Sequence, residues 1–145
     1  RETAEGDDAL LPALARISRA VRERAGESLR AIRRSEDIAR VTTGSLPALR
    51  KYVESIRASD LKSDNDEALA LLEQAVAIDT AFAMAWRRIA VLLNNDGREP
   101  ARALAALERA YSHRDRLTEF ERHLLEGYYF MRGPRVDWNQ AKRAY

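Results

Sequence analysis

The sequence predicts an all-α chain, a solenoid of stacked helix pairs, on three observations. Ala68, Leu72 and Ala75 recur as Ala103, Leu107 and Ala110, and the pattern returns at Ala141 and Tyr145, at separations of 35 and 38 residues. A second set, Trp86, Ile89, Ala90 and Leu93, is preceded by Tyr52 at a distance of 34 residues. It is followed by Leu124, Leu125 and Tyr128, 35 residues beyond Ile89, Ala90 and Leu93. Finally, no segment alternates apolar and polar residues with the period of two that a half-buried strand requires. A period of this length is one helix–turn–helix unit that buries its apolar face only against its neighbours. The small Ala in each set has a physical purpose, because two helices approach closely only where no long side chain stands between them.

The elements follow in order. Residues 1–8 are polar, carry Gly6 and read as a flexible lead. Residues 9–44 read as an N-terminal helical cap. From Ala9 to Arg24, Leu10, Leu14, Ile17 and Val21 fall on one helical stripe, with Arg16, Arg19, Arg22, Glu23 and Arg24 on the other faces. Gly26 ends or kinks that helix, Glu27 to Arg34 forms a second short one, and Ser35 to Thr43 connects to the repeats. The array then divides into 45–79, 80–115 and a truncated 116–145. Ser45 is the expected N-cap of the first helix, with Pro47 in its first turn. Leu46, Leu49, Tyr52, Val53 and Ile56 supply its buried stripe. Asp60 to Asp66 is expected to turn, Asn65 or Asp66 to cap the helix reaching Ile78, and Thr80 to cap the Trp86 helix. Asn94 to Pro100 turns and Ala101 to Tyr111 returns. Thr118 with Glu121 is a capping box, and Gly133 with Pro134 breaks the helix that follows it.

These phased positions resemble the tetratricopeptide repeat (TPR) family, whose units run to about 34 residues. The resemblance covers Leu46 to Tyr145. It implies a right-handed α-solenoid of about two and a half repeats and a protein-binding concave face. The chain departs from the pattern in several places. Thr80 and Asp115 stand where a helix-ending proline is usual, and Ala90 and Leu125 replace a glycine at the first-helix crossing. One residue is inserted in the Asn94 to Pro100 turn and about four between Met131 and Asp137.

The run LRAIRRSEDIARVTTGSLPALRKYVES, with LLEQAVAIDTAFAMAWRRIAVLLNN and YSHRDRLTEFER, resembles the C-terminal TPR region of bacterial eukaryotic-like serine/threonine kinases. That resemblance implies the regulatory part of a larger signalling protein, cytoplasmic or membrane-anchored. None of the kinase motifs is present: there is no glycine-rich loop with its lysine, no His-Arg-Asp loop and no Asp-Phe-Gly triplet. The sequence begins at Arg1 and stops within the second helix of the third pair, as expected of a fragment.

Composition narrows the function classes. With 46% hydrophobic residues the 145-residue chain can fill a continuous core. Its 25 basic and 23 acidic residues leave a charge of +2, so the surface offers no general attraction to phosphate backbones. The absence of cysteine excludes disulfides and thiolate metal sites. No run is apolar for the length a bilayer requires. His113 and His123 lack a third ligand at metal spacing, and Glu54, Glu73 and Glu108 stand at pairing or solvated positions. No nucleophile, base and orienting group can be assembled, so catalysis, cofactors and metals are not expected. The N-terminal arginines Arg16, Arg19, Arg22, Arg24, Arg30, Arg33 and Arg34 suggest a weaker nucleic-acid reading. They lack interleaved aromatic residues for base stacking, and a solvated helix face or an acidic partner suits them better.

The concave face implied by the TPR resemblance assigns a partner-binding groove to the first helix of each pair. Its candidate residues are Arg50, Val53 and Arg57, then Met84, Arg87, Val91 and Asn94, then Glu119, Arg122, Glu126 and Tyr129. Arg87 is followed one turn later by Val91 rather than Asn, which departs from the carboxylate clamp of chaperone-binding TPR proteins. A protein or peptide partner, with arginines meeting acidic groups, is the leading expectation. Self-association is the alternative.

Overall fold

Ser45 opens the repeat region as its composition predicts. Its Oγ accepts the Ala48 N–H at 3.3 Å, and Pro47 stands in the first turn, where its missing N–H leaves no bond unmade. The computed structural model describes residues 13, 16, 17, 20, 21, 43–97 and 99–144. From residue 43 onward lie six helices: α1 (Leu46–Lys62), α2 (Asn65–Ile78), α3 (Ala83–Asn95), α4 (Pro100–Ser112), α5 (Glu119–Arg132) and α6 (Trp138–Ala144). A 3₁₀ turn, Arg114–Arg116, precedes α5, and no strand occurs among the described residues. The chain is all-α.

Several predicted boundaries hold. Gly133 ends α5, and α4 begins one residue earlier than expected, at Pro100. The Thr118 hydroxyl accepts the Glu121 N–H at 3.1 Å while Glu121 Oε2 accepts the Thr118 N–H at 3.1 Å, a complete capping box. Others need correction. The first turn lies at Ser63 and Asp64, after α1 has run through Asp60 to Lys62. Ser63 ends α1 in the left-handed region with φ 56°, and Asp64, rather than Asn65 or Asp66, caps α2 by accepting the Glu67 N–H. Thr80 caps nothing: Phe82 stands at the α3 N-cap without a side-chain bond, and the Thr80 carbonyl accepts the indole N–H of Trp86 at 2.8 Å.

The helices pack as α1 with α2, α3 with α4 and α5 with α6, and α2 also packs on α3 and α4 on α5. Most of the periodic residues form the core, with Tyr52, Trp86 and Tyr128 packed against it partly buried. Ala68, Leu72 and Ala75, then Ala103, Leu107 and Ala110, and Ala141 are all buried, as are Ile89, Ala90, Leu93 and Leu125. Interior Leu and Ile side chains each contribute about 1.5–3 kcal/mol on leaving water. Within α1 the prediction was less accurate: Val53 is exposed, whereas Ala48, Ser55 and Ala58 are buried. Ser55 is accommodated because its hydroxyl donates to the Tyr52 carbonyl at 2.7 Å.

A third periodic column emerges at the helix entrances. Leu46, Phe82 and Leu117, 36 and 35 residues apart, are all buried where the chain enters α1, α3 and α5. The loops between pairs also meet one another. Buried Thr43 donates to Asp79 at 2.6 Å, and Asp79 in turn accepts from the Ala81 N–H and from Arg116. The turns inside pairs touch at Asn65 and Asp96.

Most of the N-terminal cap, 9–44, lies outside the described residues, as do residues 1–8 and Tyr145. Of its predicted apolar stripe, Ile17 and Val21 are described. Both are helical and both are exposed, while Ala13 is buried.

Candidate functional site

The first helices of the pairs are linked through two adjacent arginines of α3 that reach opposite neighbours. Arg88 reaches α1, where its Nη2 donates to Ser59 Oγ and, at 2.7 Å, to Asp60 Oδ1. Ser59 in turn donates to Asp60 at 2.6 Å. Together these bonds hold the Asp60 carboxyl below its ordinary pKa, the Ser59 hydroxyl contributing most and Arg88 next. Arg87 reaches α5, where its guanidinium lies 5.7 Å from the centre of the Tyr128 ring. Tyr52 packs against the core from α1, its ring 5.0 Å from that of Phe82. Burial raises its hydroxyl pKa, an effect opposed by Arg88 and Arg87 and reinforced by Glu121 and Asp60.

The predicted groove residues fall into three groups. Arg50, Val53, Arg57, Asn94 and Glu119 are exposed, and Arg87, Val91, Arg122 and Glu126 are partly buried. Helical spacing puts Arg50, Val53 and Arg57 on one stripe of α1, and Arg87, Val91 and Asn94 on one stripe of α3. Met84 belongs instead to the core, at 8% exposure. Tyr129 is committed to the junction with α4: its ring stacks on Tyr111 at 3.9 Å, with Phe130 edge-on to both. Arg114 lies over the Tyr111 ring at 4.3 Å.

Sequence reasoning assigned no role to Arg88 or Ser59 and placed Asp60 only in a turn. No local signal could have found them, since the tie joins residues 28 and 29 positions apart. Tyr129 was expected in the groove, and its stacking partner Tyr111, 18 residues earlier in the chain, carried no local signal. A shallow acidic depression lined by Lys62, Ser63, Asp64, Asn65, Asp66 and Asp96 lies at the turns within the first two pairs.

No family model, curated protein or solved structure matches the chain. Among the described residues no group of three His, Cys, Asp or Glu side chains comes together to hold a metal, and no helix is long and apolar enough to cross a membrane.

Proposed function

We propose that this chain is a non-catalytic protein-interaction module, a TPR-like array that binds a peptide or protein segment along the face of α1, α3 and α5. The observation that carries this reading is the linkage of the three first helices through adjacent arginines of α3. Arg88 ties α3 to α1 and Arg87 ties it to α5, while Arg50, Val53, Arg57 and Asn94 remain exposed. The recurrence of buried Ala and Leu columns at about one repeat length supports the TPR-like assignment. The sequence resemblance further suggests service as the regulatory part of a larger bacterial signalling protein, with a kinase as one output domain.

The test blocks the face without touching the core. Wild type and a Val53→Glu, Asn94→Glu double variant are used as baits in source-cell lysate, with circular dichroism as the folding control. A protein retained by wild type and lost by the variant supports the reading; equal retention removes it. Self-association is the second reading, favoured by the exposed Trp138 and Val136 at the start of α6. It predicts a mass that rises with concentration in light scattering.

A further inference from the structure

The chain holds five tyrosines and no cysteine. Thiolates are the side chains that oxidise first, so in their absence oxidising equivalents fall to aromatic rings and methionine. Two of the tyrosines stand in contact. Tyr111, in the last turn of α4, and Tyr129 of α5 stack with ring centres 3.9 Å apart and planes 13° from parallel. Arg114 donates to the Tyr111 carbonyl at 2.9 Å and lays its guanidinium over the Tyr111 ring at 4.3 Å. Two groups this close to one ring occupy opposite faces, so the outer face of Tyr111 is covered and its inner face is given to Tyr129. Phe130 stands edge-on to both rings. Both tyrosines keep partial exposure, which admits a small oxidant.

We infer that Tyr111 and Tyr129 form an oxidative cross-linking site, coupling into an intramolecular dityrosine when a peroxide-driven one-electron oxidant acts on the chain. Each phenol gives up one electron and its hydroxyl proton, and the unpaired spin of each phenoxyl radical is shared with the ring carbons beside the oxygen. A carbon–carbon bond joins one such carbon of each ring. The hydrogen that each of these carbons carried moves to the phenoxyl oxygen and restores two phenols. Two electrons and two protons leave the protein, and one hydrogen peroxide takes them up to become two waters. Bond formation turns the rings from stacked to edge-joined, through a tyrosine χ2 whose wells are broad. A partner ring already held in contact reacts far ahead of one met by diffusion, which favours this pair over coupling between chains. The product ties residues 18 apart and converts the stack between α4 and α5 into a covalent staple. This chemistry stands apart from the interaction reading above and does not depend on it.

The test treats the full chain, at micromolar concentration, with a haem peroxidase and limiting hydrogen peroxide. Dityrosine fluorescence, intact mass and peptide mapping follow the product. The expected product is a monomer lighter by two hydrogen atoms, with Tyr111 joined to Tyr129. Tyr111→Phe and Tyr129→Phe keep the ring and lose only the hydroxyl, so each should fold and each should cut the fluorescence about tenfold. Tyr52→Phe should leave it unchanged, because Tyr52 packs against Phe82 instead. On wild type, urea sufficient to unfold the chain should lower the yield of the link by a similar factor, a readout independent of any variant. A link mapped to other tyrosines, a product made mainly of joined chains, or fluorescence undiminished in Tyr129→Phe or in urea overturns the inference. Oxidation confined to tryptophan and methionine, with no dityrosine formed, overturns it as well.

Discussion

The junction between the first and second helix pairs and the junction between the second and third solve the same packing problem with different chemistry. At the first, Arg88 bridges to Ser59 and Asp60, Arg102 pairs with Glu73 across the second helices, and Thr43 bonds to Asp79. The second is aromatic: Arg87 lies over Tyr128, and Tyr111, Tyr129 and Phe130 form one ring cluster. The repeat register makes the contrast direct, because the position of Arg88 in α3 is held 35 residues later by His123 in α5. His123 turns to Glu119 of its own helix, at 3.9 Å. A repeat therefore specifies where helices cross, while the residues around the crossing remain free to differ.

If the periodic apolar column carries both junctions, breaking it should outweigh every difference between them. Phe82 is fully buried at the entrance to α3 and Leu125 fully buried within α5. Phe82→Ala is expected to cost about 3–5 kcal/mol and Leu125→Ala about 2–5 kcal/mol in urea unfolding. A loss below about 1 kcal/mol for Phe82→Ala would place it among surface substitutions and show that polar ties hold the first junction.

Next in size, Gly133→Ala strikes the second junction alone. A Cβ at Gly133 would stand 2.5 Å from the Tyr129 carbonyl oxygen and 3.3 Å from two atoms of its ring. Backbone at that distance cannot yield cheaply, so a cost of about 1–3 kcal/mol is expected. Near-ultraviolet circular dichroism should report the disturbed Tyr111 and Tyr129 stack. Tyr129→Leu keeps apolar bulk and removes the stack, for about 1 kcal/mol, and that loss should be the same at low and high salt. A loss that salt abolishes would mean that charge, not stacking, dominates there.

The contrast between the junctions also explains what the sequence could reveal. Helical periodicity exposes residues that repeat on one face, so Ala68, Leu72, Ala75 and their counterparts were legible along with the all-α class. Phe82 was not, because it occupies an N-cap outside the helical period even though Leu46 and Leu117 repeat it. Asp64 took the cap expected of its neighbours because α1 ran on to Lys62, which moved the turn to Ser63. Met84 and Val53 were each assigned by counting around an isolated helix, which cannot weigh what the adjoining helices cover. The candidate face was legible as stripes; the opposed directions of Arg87 and Arg88 were not, since adjacent residues carry no information about which neighbour each will reach.

The smallest effect separates the junctions by pH. Asp60 has its pKa lowered from the ordinary value of 3.8 by the Ser59 hydroxyl first and Arg88 second. A carboxyl whose folded value is depressed contributes stability that is fully present above its unfolded value and lost as pH falls through the folded one. The Tm advantage of wild type over Arg88→Met should therefore be constant from neutral pH down toward 3.8 and narrow below it. The variant retains the Ser59 bond, so part of the depression should survive in an NMR titration of Asp60. Tyr129 titrates from an ordinary value of 10.0, raised chiefly by burial, so the gap between wild type and Tyr129→Leu should not change over the same acid range. Acid that narrowed both gaps equally would show general unfolding and erase the distinction. Narrowing confined to Arg88→Met would locate a titrating tie at the first junction.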